Sequence, residues 1–350
     1  MGAKSYPLSN SNASKKRKYN YTCPDCKNKL QKWGKTKAGA QRWRCPNCSN
    51  TNTKPRQDLT KKLLLQRFIK WLLGKQSQVE LNHGLTDRAW RKQIEWCWGI
   101  IPRPKVNSIP ETILLIDATR VGNQVCFIAR NTKHIINWLW FSHEYSFPWE
   151  MLFKIIPEPL VIVCDGQKGM LIAIARTYHN VHIQRCLNHV RMNLQVKLTR
   201  NPQTQAGIDL KYHFKTIWEV KTLDQADQWI KQFKLIYTKH FEFLKQRTYL
   251  DKPRINQRKW WYTHRSVRSA YRQIDKLIKN QQLFTYLDEK LLKQVDQPIP
   301  KTTNYLEGGI NSQLKHLLRI HRGLNQTHEQ RLVDWYLYSK STSQKRKKSN

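Results

Sequence analysis

Two short runs of buried-type residues in this chain finish on aspartate: Ile-Leu-Leu-Ile before Asp117 and Val-Ile-Val-Cys before Asp165. Unbroken apolar runs of this length, bounded by turn signals, read as strands covered on both faces. The chain carries 24 acidic residues against 63 basic ones, a formal net charge of +39. In so basic a chain, an acid closing a buried strand is hard to read as an ordinary solvated charge. A third acid, Glu307 in NYLEGGINSQLK, stands where a late helix is expected to begin.

The elements around these acids suggest how they meet. Past Glu111, the runs ILLID, NQVCFIA and HIINWLWF are separated by Gly122-Asn123 and Asn131-Thr132, the pattern of an antiparallel meander. A helix is expected over 149–156, a strand at VIVCD, a helix over 168–177 and a strand at VHIQRC. Three strands followed by strand–helix–strand predict a mixed α/β sheet in the RNase H arrangement rather than a doubly wound one. From 190 to 298 the pattern is helical. Leu223, Ala226, Ile230, Phe233 and Tyr237 share one face, and Val267, Tyr271, Ile274 and Ile278 share another. No strand is expected there, so the segment reads as an all-helical insertion.

The expected organisation is then a disordered basic arm at 1–20, a zinc ribbon at 21–52 and a helical DNA-binding region at 57–101. An RNase H-like catalytic domain begins at 110–190, is interrupted by the insertion at 191–298, and resumes with helices at 299–338 before a basic tail at 339–350. A charge of +39 and a pI near 10.1 imply salt-dependent attraction to nucleic acid without sequence preference. No apolar run approaches a membrane span or a signal peptide, so the expectation is a soluble, cytoplasmic, nucleoid-associated protein with no membrane partner.

Four of the eight cysteines form two CxxC pairs, Cys23 with Cys26 and Cys45 with Cys48, at the spacing of a zinc ribbon. Four thiolates from two tight turns suit one structural Zn²⁺; the bland alternative is unpaired thiols or a redox pair. Lys32, Lys35, Lys37, Arg42 and Arg44, interleaved with Trp33 and Trp43, favour DNA as what the ribbon meets. Next, Leu64, Leu65, Phe68, Ile69 and Leu72 keep helical spacing up to Gly74. Thr86 can then cap a helix with Trp90, Ile94 and Trp98 on one face. Arg88, Arg91 and Lys92 point elsewhere. They suit either phosphates and base edges, as in a helix-turn-helix, or the solvated face of a plain helical hairpin.

Asp117, Asp165 and Glu307 form the catalytic expectation. Hard carboxylate oxygens would hold two Mg²⁺ ions (or Mn²⁺) about 4 Å apart for in-line phosphodiester chemistry. The alternative is that each acid caps a turn. Glu150 competes as third acid, with Asp209 and Asp224 weaker. Cys186-Leu-Asn-His189 is half a metal site, and the residues alone favour packing. Trp260 and Trp261 lie among Arg and Lys, where stacking on an unpaired base competes with ordinary core packing.

Together these residues resemble the Mutator-type DDE transposases of prokaryotic insertion sequences. The resemblance runs over about 111–335. It is carried by Asp117 after a strand, Asp165-Gly166 after a second, Cys186 with His189 downstream, and Glu307 after a long insertion. It implies hydrolysis at double-stranded element ends, releasing 3′-hydroxyls that attack target DNA without a covalent protein–DNA intermediate. It also implies an oligomer, at least a dimer, a supporting role for Cys186 and His189, and Trp260 or Trp261 beside a flipped base. Rival readings are a catalytically silent, transposon-derived DNA-binding protein and another RNase H-fold nuclease such as a resolvase.

Overall fold

A computed structural model describes residues 22–23, 26–53, 57–81, 85–104, 110–251 and 259–341. The chain divides into two compact units, Met1–Cys97 and Trp98–Asn350. The expected basic arm at 1–20 and residues 342–350 of the tail lie outside the described residues.

In the first unit, β1 (Gln31–Lys35), β2 (Gln41–Arg44) and β3 (Thr51–Thr53) form an antiparallel three-stranded sheet. Its small core is Cys23, Leu30 and Cys45, with Cys26 and Trp43 packed against them. Helices α1 (Gln57–Leu73), α2 (Gln78–Leu81) and α3 (Asp87–Trp98) follow. The α3 start follows the sequence: the Thr86 hydroxyl accepts from the Ala89 N–H at 3.3 Å. Trp90 and Ile94 on α3, and Phe68 and Leu72 on α1, are buried.

The second unit is built on a five-stranded mixed sheet. Strands β4 (Ile113–Val121), β5 (Gln124–Arg130) and β6 (Ile135–Phe141) run antiparallel. After α4 (Ser146–Phe153), β7 (Val161–Cys164) lies parallel to β4; after α5 (Lys168–Thr177), β8 (His182–Arg185) lies parallel to β7. The order across the sheet is β6-β5-β4-β7-β8. Gly122 makes the β4–β5 turn with φ +55°, a conformation that favours glycine. Side chains alternate across a strand. Leu114 and Ile116 of β4 and Ile162 and Cys164 of β7 join Phe127, Trp149, Phe153 and Ile174 in the core beneath α4 and α5. Odd-numbered positions of β4 and β7 therefore look to the opposite face, and Asp117 and Asp165 are both odd-numbered.

Among the later elements, the helix Asn304–Leu306 packs against β4 and the helix Gln326–Lys340 against β6. Helices α6 (Leu187–Leu198), α7 (Gln205–Lys215), α8 (Leu223–Lys239) and α9 (Phe241–Lys245) lead into a hairpin of β9 (Arg247–Tyr249) and β10 (Trp260–Tyr262). The expected all-helical insertion is corrected here. Three-residue strands are too short to print a period-two pattern, and Thr248 and Thr263 bond through their hydroxyls at 2.9 Å beside the pairing. Then come α10 (Arg265–Lys279), α11 (Glu289–Leu292) and α12 (Asn304–Leu306), a π-helical turn Glu307–Asn311, α13 (Ser312–Ile320) and α14 (Gln326–Lys340).

Helix α14 is tied to β6 by one buried acid. The Trp138 and Trp140 indole N–H groups both donate to Asp334 Oδ1 at 2.8 Å, and Arg331 reaches Oδ2 at 2.6 Å. Removing one partner of a buried ionic cluster costs about 3–5 kcal/mol. Asp334→Ala should therefore lower the thermal midpoint by on the order of 10 °C in a unit of this size. A drop of under about 2 °C in thermal denaturation would mean that the cluster does not hold α14.

Candidate active site

Parallel pairing puts Leu115 of β4 beside Val163 of β7. Two residues beyond that pair, past the end of the β4–β7 ladder, come Asp117 and Asp165, close enough for the charge of one to act on the other. Asp117 does not end its strand, because β4 runs on to Val121 against β5 after its pairing with β7 has stopped at Leu115. The carboxylate thus sits where one side of the strand is released from the ladder. Its Oδ1 accepts from the Ala118 N–H at 2.9 Å, and its Oδ2 from Asn311 Nδ2 at 3.0 Å. Asp165 turns the chain out of β7: its Oδ1 accepts from the Gln167 N–H at 2.9 Å, and Gly166 follows at φ +73°. A Cβ on Gly166 would collide with the Arg185 guanidinium, which packs over it and donates to the Asp165 carbonyl.

Glu307 reaches the pair from the C-terminal segment. Thr303, fully buried, donates from its hydroxyl to Glu307 Oε1 at 2.6 Å. Arg130 donates to the Tyr305 carbonyl at 2.6 Å and so fixes the turn just before Glu307 to the end of β5. A π turn at Glu307–Asn311 then widens the helix, bringing Glu307 and Asn311 to the same site. Such turns inside helices recur at functional sites.

The charges of this cluster interact. Burial first, and then the charge of Asp165, raise the Asp117 carboxyl from its ordinary 3.8 to about 7; His189 opposes this and Glu307 adds to it. The His189 imidazole is raised to about 9, chiefly by Cys186, against its own burial. Burial pushes the Cys186 thiol up, yet hydrogen bonds from His189 and Thr303 leave it below its usual value. His189 Nδ1 lies 3.5 Å from Glu307 Oε1.

The donor set fits a hard divalent cation. Among the described residues no Lys or Arg pairs with the side chain of Asp117, Asp165 or Glu307. Asn311 Oδ1 is buried there and has no hydrogen-bond partner. Repelling carboxylates plus a free amide oxygen are ligands that Mg²⁺ or Mn²⁺ accepts. Cys186, His189 and Glu307 also have donor atoms within 4.8 Å of one another, a softer set. Thr303 already bonds both Cys186 Sγ (3.2 Å) and Glu307 Oε1, so these residues form a polar clamp on Glu307.

Four cysteines make a separate metal candidate. Cys23, Cys26, Cys45 and Cys48 have sulfurs within 4.8 Å of one another, with separations of 3.4–3.5 Å across the two pairs and no disulfide. The two loops repeat one geometry. The Cys23 and Cys45 N–H groups bond the carbonyls of Asn28 and Asn50, while Lys27 and Ser49 take φ near +58° and +57°. Tetrahedral Zn–S bonds of about 2.3 Å place sulfurs roughly 3.8 Å apart, which these loops nearly meet. The four-cysteine group is thus compatible with a structural zinc ribbon.

The remaining expected residues are dispersed. Arg88, Arg91 and Lys92 are exposed on α3, with Arg91 only 3.9 Å from Asp87. Trp260, on the β9–β10 hairpin, packs edge-on to Tyr262 at 5.1 Å and beneath Arg247 at 4.0 Å; Trp261 is its half-buried neighbour. Among the competing acids, Glu150 pairs with Arg176 at 3.0 Å and Asp209 with His240 at 2.7 Å. Asp224 opens α8. Sequence reasoning missed Arg130, Arg185, Thr303 and Asn311. The one available signal was Asn311 four residues after Glu307, one helical turn on.

Residues 156–261 match the family described as Transposase, Mutator family. The match takes in Asp165, Cys186, His189, Trp260 and Trp261, whereas Asp117 and Glu307 lie outside it. No curated protein matches the chain. The similarity supports a transposase function, and with it nucleic-acid processing and DNA binding. No helix among the described residues is long and apolar enough to cross a membrane.

The charge pattern can be checked through stability. The folded-state value of Asp117 lies above the unfolded one, so its ionised form costs stability. That cost is absent below about 3.8, grows up to about 7 and is constant above. Asp117→Asn should therefore raise the thermal midpoint by roughly 5 °C at about pH 8 without divalent cations, and by less as pH falls. A lowered midpoint at the alkaline pH would refute the repulsion. Zinc analysis should return about one Zn²⁺ per chain, well under one for Cys45→Ser and no change for Cys186→Ser. A second equivalent that disappears with Cys186→Ser would make the polar clamp a metal site instead.

Proposed function

We propose that this chain is a DNA transposase that cuts the ends of an insertion sequence and joins the freed 3′-hydroxyls to target DNA. The observation that carries the proposal is the approach of Asp117 on β4 to Asp165, just past the end of the parallel strand β7, in a chain similar to Mutator transposases over 156–261. The sheet order, with three antiparallel strands and then two parallel ones, supports an RNase H-like catalytic domain. In this reading that domain comprises 110–190 and 299–338, and 191–298 is inserted within it.

The three carboxylates would be the ligands of two divalent cations, Mg²⁺ or Mn²⁺. When bound, these supply activation of a water or 3′-hydroxyl and stabilisation of the leaving oxygen. The protein's own part is positional. Sheet register fixes Asp117 against Asp165, and the Thr303 hydroxyl fixes one oxygen of Glu307. Arg185 uses the Asp165 carbonyl, which leaves the carboxylate oxygens available. His189, its imidazole raised chiefly by Cys186, stands 3.5 Å from Glu307 and tempers the negative charge when protonated.

The zinc ribbon and the α1–α3 region are assigned to reading the element's ends, with Arg88, Arg91 and Lys92 on the DNA. Trp260 and Trp261 are assigned to stacking against an unpaired base near the cut. Two ends have to be processed together, so the working form is an oligomer.

The test is cleavage and joining of labelled DNA carrying the element's flanking ends, with Mg²⁺. Wild type should give nicks with 3′-hydroxyls and joined products. Asp165→Asn and Glu307→Gln should lose cutting by on the order of a thousandfold or more while still binding the ends. Cutting by Glu307→Gln would remove Glu307 from the site. Tight, specific binding by wild type with no cutting in Mg²⁺ or Mn²⁺ would favour a silent DNA-binding protein.

A further inference from the structure

The concave surface between α6 and α10 is a second feature built from cations, and it includes Arg185, which donates to the Asp165 carbonyl. It encloses about 720 Å³ and is lined by Arg185, Lys197, Arg265, Arg268, Arg272 and Lys276 among others. Helix α10 has two sharply different faces. Ala270, Tyr271, Ile274 and Leu277 are buried, while Arg265, Arg268, Arg272 and Lys276 recur every three or four residues on the groove side. One acid, Asp275, also lines the groove, and it is taken by Lys279 at 2.7 Å. Among the described residues no carboxylate pairs with Arg265, Arg272 or Lys276.

A row of like charges along one wall is unfavourable unless something anionic lies against it. The groove is also held in shape. Lys197 of α6 donates to Gln273 of α10 at 2.5 Å, and Arg268 stacks over Tyr262 at 3.8 Å while donating to the Leu244 carbonyl. At the end nearest the carboxylates stands Arg185, only 8% exposed. Its Nη2 is used by the Asp165 carbonyl, and its buried Nε meets no acceptor among the described residues. A guanidinium so deeply set, bonded to a backbone carbonyl and paired with no carboxylate among the described residues, keeps its positive charge for what enters the groove.

We propose that this groove is the track of the DNA strand continuous with the scissile phosphate. Arg185 takes a phosphate next to the cut, and Arg265, Arg268, Arg272 and Lys276 take successive phosphates beyond it. From Arg265 to Lys276 the helix rises about 17 Å, which spans the rise of roughly five nucleotides at 3.4 Å each. The contacts go to backbone phosphates, so they position the strand and carry no sequence preference. The assignment rests on reading Asp165 as part of the cleavage site.

The experiment measures binding of the full chain to labelled duplex DNA bearing the gene's flanking sequence, across a range of salt concentrations. It is done in the Asp165→Asn background, so that cleavage is not required. Arg272→Glu with Lys276→Glu should weaken binding at least about tenfold and reduce the slope of log K against log salt by about two. The same charge change at exposed Lys231 and Lys234 of α8, which line no part of the groove, is the control. Should the glutamate pair disturb folding, Arg272→Gln with Lys276→Gln removes the two charges more gently and carries the same expected slope change. Equal losses in groove and control variants, or an unchanged slope, would overturn the track. Wild-type protein that fails to cut in Mg²⁺, with the groove variants still lowering the slope, would instead count against the cleavage reading while leaving the groove a phosphate-binding surface.

Discussion

Parallel pairing of β4 with β7 is the constraint on which the candidate site depends. It brings Asp117 and the end of β7, just before Asp165, together at a sheet whose other face is packed with Phe127, Trp149 and Phe153. Neither acid can retreat freely, because each directly follows strand residues buried on both faces, Ile113–Ile116 before Asp117 and Val161–Cys164 before Asp165. The consequence is a carboxyl at Asp117 that holds its proton to about pH 7. The sheet is stable enough to keep an arrangement that its own electrostatics disfavour, the usual mark of a site organised for a ligand rather than for stability.

The third acid is held differently, and the difference explains the side chains around it. Glu307 sits on a turn and not on a strand, so no ladder fixes it. Its position comes from the Thr303 hydroxyl, from Arg130 gripping the Tyr305 carbonyl, and from the π turn that follows. Cys186, at the start of α6, is anchored through its N–H to the Cys164 carbonyl at 2.7 Å. It thereby carries the position of β7 across to Thr303 and Glu307. The CxxH thus links the sheet to the segment bearing Glu307, through the Cys186 N–H on one side and the contacts of its thiol with Thr303 and Glu307 on the other.

Much of this was legible in the sequence, for reasons that also account for what was not. Strands β4 to β8 and helix α5 announce themselves because unbroken apolar runs and turn residues are local signals. The two aspartates were legible because a charge at the end of a buried run stands out against that background. Arg185 and Thr303 gave no signal: an arginine in a chain with 63 basic residues, and a threonine in a loop, look ordinary until the fold brings them to Asp165 and Glu307. The hairpin Arg247–Tyr249 with Trp260–Tyr262 was hidden by its brevity. The π turn was hidden because one extra residue in a helical turn leaves no compositional trace, although the spacing of Asn311 from Glu307 was itself in view.

The distribution of charge, rather than its total, carries the functional argument. With 63 basic side chains available, a chain under selection for stability alone would be expected to neutralise its buried acids with Lys or Arg, as it does at Asp334 with Arg331. At Asp117, Asp165 and Glu307 it does not. Arg185 spends its bond on the Asp165 carbonyl, and His189, 3.5 Å from Glu307, acts on Asp117 as well. Along α10, in the groove that Arg185 also lines, Arg265, Arg272 and Lys276 stand equally without carboxylate partners among the described residues. Acids kept clear of cations, beside cations kept clear of acids, form a surface whose two halves match a divalent metal and a phosphate chain. Phosphodiester cleavage is the chemistry that brings those two together at one point.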